Sequence, residues 1–451
     1  MNEYANIFKA YDIRGLVDLE IDVDFTFATG VAFARFLQIE REPGTIVIGE
    51  DMRPSSSPLA DAFSAGVTSQ GMDVIRIGLA STDMLYFASG KLGLPGAMFT
   101  ASHNPADYNG IKLCLSGARP IGKESGLVSI ENFVREGSPI ALRNVGVEKH
   151  RNMLEEYVDY LLTLVDVKNI RPLKIIIDAG NGMAGHTASA IFAGLNCEVI
   201  PMYFELDGTF PNHEANPLDE STLADLKQAM KDHNADLGLA FDGDADRCFL
   251  VDERGVAVNP SALTALIAQR ELIKHPGSTI IYNLISSRAV QEVINENGGV
   301  ALRSRVGHSY IKQMMADSGA IFGGEHSGHF YFKDFWRADS GALAALHAIA
   351  ALGESELTMS ELLAPFNRYV VSGEINSTIA DTTAATEIVE KTYSSGQAVI
   401  DHLDGLTVNG DTWWFNLRPS NTEPLLRLNV EASTQAQMES VRDAVLLLIR
   451  G

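Results

Sequence analysis

The sequence predicts an α/β protein of three related units and a smaller C-terminal domain, and three observations carry that reading. A short apolar run that ends in a polar loop and leads into a helical pattern occurs at 44–51, 174–182 and 278–283. Each is followed further along by a second short apolar run ending in a polar loop, at 100–105, 242–247 and 324–329. From about residue 370 the pattern changes, and the chain ends in an amphipathic helical stretch over 436–450. Strands alternating with helices imply mixed or parallel sheets, whose ligand loops lie beyond the carboxyl ends of the strands. The three second loops would then share one central cleft.

The totals narrow the function. The 451 residues allow several cores, and 46% apolar with 21% charged content is ordinary for a globular protein. A net charge of −23 argues against duplex nucleic acid or an anionic membrane as partner, so an anionic substrate would need local positive charge. No apolar run is long enough to span a bilayer, and no cationic-then-apolar leader pattern opens the chain. Cys114, Cys197 and Cys248 are few and far apart, without metal spacing, which fits a reducing compartment. The expectation is a soluble cytoplasmic protein with domains at 1–150, 151–253, 254–367 and 368–451.

Taken in order, Phe8-Lys9-Ala10-Tyr11-Asp12-Ile13-Arg14-Gly15 reads as the end of a first strand. Arg14 there suits a phosphate, which guanidinium grips bidentately. The strand at 44–51 leads through Arg53-Pro54-Ser55-Ser56 into a helix over 60–69. A strand at 96–98 opens into Thr100-Ala101-Ser102-His103-Asn104-Pro105, where a hydroxyl adjoins an imidazole and an amide. Asp107-Tyr108-Asn109-Gly110 then turns into a strand bearing Lys112, which would reach Ser102 and act as acid or base if its pKa is depressed. Residues 151–168 read as one amphipathic helix leading to the second strand–helix unit.

The densest chemistry is Asp242-Gly243-Asp244-Ala245-Asp246-Arg247, between the apolar runs 237–241 and 248–251. Three alternating carboxylates repel one another, and a hard divalent cation with oxygen ligands relieves that repulsion. A helix-loop-helix calcium loop is excluded, because Arg247 stands where that loop needs glycine and strands rather than helices flank it. Glu253-Arg254-Gly255 marks a hairpin turn. The third unit, 278–283 with Ser286-Ser287-Arg288, is followed by Arg305-Val306-Gly307-His308, whose imidazole is a candidate general base. Gly323-Gly324-Glu325-His326-Ser327-Gly328-His329 offers a carboxylate, a hydroxyl and two imidazoles suited to sugar hydroxyls. Pro365 closes a helix. Asn416-Leu417-Arg418-Pro419-Ser420-Asn421-Thr422-Glu423-Pro424, with Arg427 after it, reads as an ordinary polar turn joining two strands or as a nest for a phosphate dianion.

The clusters 9–15, 100–105, 242–247, 324–329 and 418–422, in this order, resemble those of the alpha-D-phosphohexomutases, nearest to the bacterial phosphomannomutase/phosphoglucomutase branch. That resemblance implies three related mixed-sheet α/β domains and a smaller α+β C-terminal domain around one central cleft. It further implies that Ser102 carries a phosphoryl group, with Mg2+ held by Asp242, Asp244, Asp246 and that phosphate. Hexose 1-phosphate and hexose 6-phosphate would interconvert through a hexose 1,6-bisphosphate, which also activates the enzyme. Glu325 and Ser327 would hold the 3- and 4-hydroxyls, and Arg418, Ser420, Asn421, Thr422 and Arg427 the non-reacting phosphate. Tyr11, Arg14, His103, Lys112, Arg247, His308 and His329 would line the cleft, with His308 as general base and Lys112 as general acid. Sugar phosphates are the expected partners, with monomer or dimer left open.

Departures from the family pattern are Ala101 for a glycine, Ile285 where some relatives carry lysine, and His326 for methionine or glutamine. The last favours mannose or glucose over glucosamine. Phosphoglucosamine mutase and a metal-dependent sugar phosphatase are the competing readings, ahead of a sugar-phosphate-binding protein without catalysis.

Overall fold

A computed structural model describes residues 6–137, 145–394, 396–419 and 425–451, with the side chains of His308 and Ser309 excepted. The chain divides into two compact units, Met1–Asn259 with Ser327–Leu362 and Pro260–His326 with Leu363–Gly451.

The first unit holds two sheets. In the N-terminal sheet the strands lie in the order Ile13–Leu16, Tyr108–Leu115, Gly96–Phe99, Thr45–Glu50, Asp73–Leu79, Glu148–His150. Thr45–Glu50 is parallel to both of its neighbours, whereas Tyr108–Leu115 is antiparallel to its three, the short Arg119–Pro120 included, so the sheet is mixed. Phe63 packs between Phe33 and Phe99, with ring centroids 5.9 and 5.4 Å away, tying the helices Val23–Ile39 and Ser56–Ser69 to the sheet. Those helices touch backbone to backbone. A Cβ on Gly30 would sit 2.3 Å from the Phe63 carbonyl oxygen, and one on Gly66 2.2 Å from that of Phe27.

The second sheet centres on Leu173–Asp178, parallel to Cys197–Met202 and Leu237–Phe241, with Cys248–Asp252 antiparallel at the edge. Every residue of Leu237–Phe241 and Cys248–Asp252 is buried, as expected of strands covered on both faces. The wholly buried helix Gly341–Gly353 packs on this pair. The helix expected over 151–168 is shorter, Leu154–Leu164. Asn152 accepts the Leu154 N–H at 2.9 Å before its first turn, and Val165 is already extended though fully buried.

The second unit opens with the parallel strands Val300–Ser304, Thr279–Asn283 and Phe322–Gly324, with Thr279–Asn283 in the middle. Its C-terminal part is antiparallel, in the order Val370–Thr378, Leu425–Ala432, Trp413–Pro419, Leu406–Asn409, Val399–Asp401. The helices Thr382–Tyr393 and Gln435–Arg450 close a core of Val389, Leu406, Phe415, Leu417, Leu428 and Val445. This is the α+β domain expected at the C-terminus.

Candidate active site

The serine loop leaves strand Gly96–Phe99 and bends back because Ser102 takes a left-handed backbone, φ 50°. Its N–H donates to Thr100 Oγ1 at 2.9 Å, and Asn104 N–H donates to the Ala101 carbonyl at 3.0 Å. Arg53, only 2% exposed, grips the loop from behind. Its Nη1 donates to the carbonyls of Pro105 (2.7 Å) and Tyr108 (3.0 Å), and its Nη2 to those of Asn104 (2.7 Å) and Ser102 (3.0 Å). From the front, Arg14 donates to Asn104 Oδ1 and to Asp12, each at 2.5 Å. Tyr11 is half-buried nearby in sequence.

The aspartate loop joins Leu237–Phe241 to Cys248–Asp252 and lies against the serine loop. A Cβ on Gly243 would come 2.4 Å from the Ser102 carbonyl oxygen, so this contact requires glycine. Ser102 Oγ donates to Asp242 Oδ2 at 2.8 Å and lies 3.2 Å from His103 Nδ1 and 3.4 Å from Arg247 Nη2. Arg247 holds Asp242 Oδ2 through Nε at 2.8 Å and Nη2 at 2.7 Å. It also donates to His103 Nδ1 at 2.5 Å, so that nitrogen is the acceptor of a neutral ring. Burial, and then the Arg247 charge, hold His103 well below the usual imidazole range.

Lys112 lies in the expected strand, yet its Nζ goes to the carboxylates, 2.6 Å from both Asp244 Oδ2 and Asp246 Oδ2, rather than to Ser102. A half-buried ammonium finds two buried carboxylates there. Burial lowers its pKa, but Asp244 and Asp246 outweigh that and hold it well above the ordinary value. Its pKa is therefore raised rather than depressed, and at neutral pH the group is an ammonium. Burial pushes the Asp242 carboxyl up against the pull of Arg247, with Asp246 and Asp244 adding to the rise. On Asp244 the Lys112 charge and the Lys112 and Thr82 hydrogen bonds outweigh burial and hold the carboxyl below the usual range.

Asp242, Asp244 and Asp246 each bring a carboxylate oxygen within 4.8 Å of the others. Asp244 Oδ1 and Asp246 Oδ1 are buried and accept no hydrogen bond among the described residues. Three clustered carboxylates, two of them with a buried oxygen that accepts no hydrogen bond, fit a hard divalent cation, and oxygen-only donors suit Mg2+. Thr82, which the sequence reading passed over, donates its Oγ1 to Asp244 Oδ2 at 2.5 Å and its N–H to the Asp244 carbonyl at 3.0 Å. A threonine at a helix start carries no signal that could have marked it.

Of the remaining expected site residues, His329 belongs to this cluster, with Nε2 3.7 Å from Asp246 Oδ1, and Ser327 Oγ lies 3.0 Å from its Nδ1. Glu325 belongs to the second unit and accepts the Gly307 N–H at 3.0 Å. His326 is half-buried, 3.4 Å from Ser261 Oγ, and burial lowers its pKa. Ile285 is 9% exposed. Arg418 and Arg427 face one another on adjacent strands of the C-terminal sheet, a like-charge pair relieved by Glu374 at 3.8 and 3.5 Å. Glu374 was not expected. His308 begins the helix His308–Ser318, but its side chain lies outside the described residues, as do Ser420, Asn421 and Thr422.

Four family models match in succession. These are phosphoglucomutase/phosphomannomutase alpha/beta/alpha domains I, II and III, at residues 5–139, 155–255 and 259–369, and the C-terminal domain at 374–448. A phosphomannomutase of Salmonella typhimurium is 39% identical, covering 98% of both chains. A protein of Xanthomonas campestris pv. campestris named phosphohexose mutases is 38% identical over 98% of this chain and 99% of its own. A phosphoglucomutase/phosphomannomutase family protein of Burkholderia thailandensis shares the structure at TM-score 0.91 and 29% identity, covering 100% of this chain and 98% of that one. The chain belongs to the phosphoglucomutase/phosphomannomutase family. It is an enzyme, an intramolecular phosphotransferase of the phosphohexomutase type.

Proposed function

We propose that the protein is a phosphomannomutase/phosphoglucomutase that interconverts hexose 1-phosphate and hexose 6-phosphate, with Ser102 as the phosphoryl carrier. The observation that carries this is Ser102 Oγ, 2.8 Å from Asp242 and within reach of Arg247, at the edge of three converging carboxylates. The names of the relatives support mannose as the principal sugar. Mg2+, held by Asp242, Asp244, Asp246 and the Ser102 phosphate, would neutralise charge on the transferring phosphoryl group.

The step runs from phosphorylated Ser102 to the free hydroxyl of the bound monophosphate. The new O–P bond forms at the sugar as the Oγ–P bond breaks, and the hydroxyl proton passes to a base, for which His308 is the candidate. Arg247 and Arg14 stabilise the equatorial oxygens. Lys112, an ammonium held by its two carboxylates, is the candidate acid toward the departing Oγ and would have to turn from them to reach it. The hexose 1,6-bisphosphate so formed turns round, and its other phosphoryl group returns to Ser102. Glu325, Ser327 and His329 hold the sugar, and Tyr11 contacts the substrate. Arg418 and Arg427, with Ser420, Asn421 and Thr422, hold the idle phosphate. No described helix is long and apolar enough to cross a membrane. The few, widely spaced cysteines support the cytoplasm as its compartment.

The test is a coupled assay of mannose, glucose and glucosamine 1-phosphates with Mg2+ and a trace of hexose 1,6-bisphosphate. Conversion that collapses in Ser102→Ala supports the reading, and the ranking names the sugar. Release of inorganic phosphate instead would replace the mutase by a phosphatase.

A further inference from the structure

The start of helix Thr82–Leu92 is built into the aspartate loop, and the way it is held gives it a function. Asp244 Oδ2 receives two hydrogen bonds, from Thr82 Oγ1 at 2.5 Å and Lys112 Nζ at 2.6 Å, whereas its Oδ1 is buried and receives none among the described residues. Two donors on one oxygen fix the plane of a carboxylate and leave the other oxygen aimed away from both. Thr82 is fully buried, and its N–H also binds the Asp244 carbonyl at 3.0 Å, so loop and helix are docked at two points.

The helix start is itself anchored. Asp83 accepts hydrogen bonds from Tyr157 Oη at 2.7 Å, Ser340 Oγ at 2.6 Å and the Ser81 hydroxyl, all buried. Ser340 also caps helix Gly341–Gly353, accepting the Leu343 N–H at 3.1 Å. That second helix presses on the far side of the loop, where a Cβ on Gly341 would lie 2.8 Å from the Arg247 carbonyl oxygen and 2.9 Å from that of Ala245. The loop is thus held between two helix starts that share one buried carboxylate.

We propose that Thr82 is a positioning residue of the cation site, its hydroxyl occupying one oxygen of Asp244 so that the other is presented to the divalent ion. The inference rests on Asp242, Asp244 and Asp246 being the cation ligands. Thr82 acts through Asp244, the group it binds. Partners that orient a metal ligand typically change metal affinity by about 10- to 100-fold when removed.

Two near-isosteric substitutions separate the hydroxyl from packing. Thr82→Val keeps the shape and the backbone contact but loses the donor, and Thr82→Ser keeps the donor. The readout is the Mn2+ dissociation constant of the full-length, substrate-free protein, from electron paramagnetic resonance of free Mn2+. The expected result is a constant raised on the order of tenfold in Thr82→Val and near wild type in Thr82→Ser, for protein that is folded at the assay temperature. Should valine not be accommodated, Thr82→Ala is compared with serine in the same way. Equal binding by valine and wild type, or equal loss in valine and serine, overturns the proposal. Asp244→Asn is the separate control: if it binds Mn2+ as wild type does, the assignment of the ligands falls, and this inference with it.

Discussion

Arg53 shows how a buried charge serves a site it never enters. Its guanidinium satisfies four carbonyls of the segment 102–108 and lies 3.3 Å from Asp51, with both side chains fully buried. Lysine offers three donors on a single point, whereas arginine spreads its donors over a planar fork. Arg53→Lys should therefore leave carbonyls unpaired and let Ser102 drift. Stability should fall by about 2–4 kcal/mol in urea unfolding. Turnover should fall by roughly 100-fold, the scale of an ångström-level misplacement. Retained turnover in a destabilised variant would reduce Arg53 to a purely structural part. In the sequence Arg53 stood out only as a loop residue after a strand, because nothing local shows that four carbonyls from another loop converge on it. Ser102 and the three aspartates were legible because their chemistry is written in adjacent residues.

Elements with a clear pattern were legible nearly to their ends, the amphipathic helix Gln435–Arg450 by its period and the strand Leu237–Phe241 by its continuous apolar run. What lies between elements was not. The crossing of Val23–Ile39 and Ser56–Ser69 at Gly30 and Gly66 depends on two residues distant in sequence. Gly30→Ala should cost about 1–3 kcal/mol by overpacking, and Gly44→Ala, whose Cβ would meet nothing within 4 Å, should be close to neutral in the same thermal unfolding experiment. Asp83 joins three helices and makes a sharper case, because burial raises its pKa from 3.8 to about 6 despite three hydroxyl donors. Below about pH 4 both folded and unfolded chains hold the proton. Between about 4 and 6 only the folded chain holds it, so stability must fall as pH rises, and above that the cost is constant. The stability of wild type minus that of Asp83→Asn should drop by about 3 kcal/mol across this window and then level off. A flat difference would mean that Asp83 is not charged by neutral pH, or that it is relieved by groups beyond Ser81, Tyr157 and Ser340.

The molecule as a whole carries a net charge of −23, whereas the proposed substrates are anions, and the two charges act over different distances. Within the first unit Arg14, Arg247 and Lys112 gather at the serine and aspartate loops, and within the second Arg418 and Arg427 sit opposite one another. Contacts to these groups act over a few ångströms in partly desolvated surroundings, where salt screens little. Repulsion from the remaining charge acts over tens of ångströms, and a Debye length of about 8 Å at physiological ionic strength removes most of it. Raising NaCl from about 20 to 200 mM should thus leave the KM for hexose 1-phosphate unchanged or lower it by up to about threefold, at constant Mg2+. A protein that captured its substrate by long-range attraction would show the opposite, a KM rising steeply with salt. That outcome would mean the local cations project a field strong enough to overcome the net charge. Arg418→Gln separates the cases: if short-range contact dominates, its KM rises at both salt concentrations by the same factor.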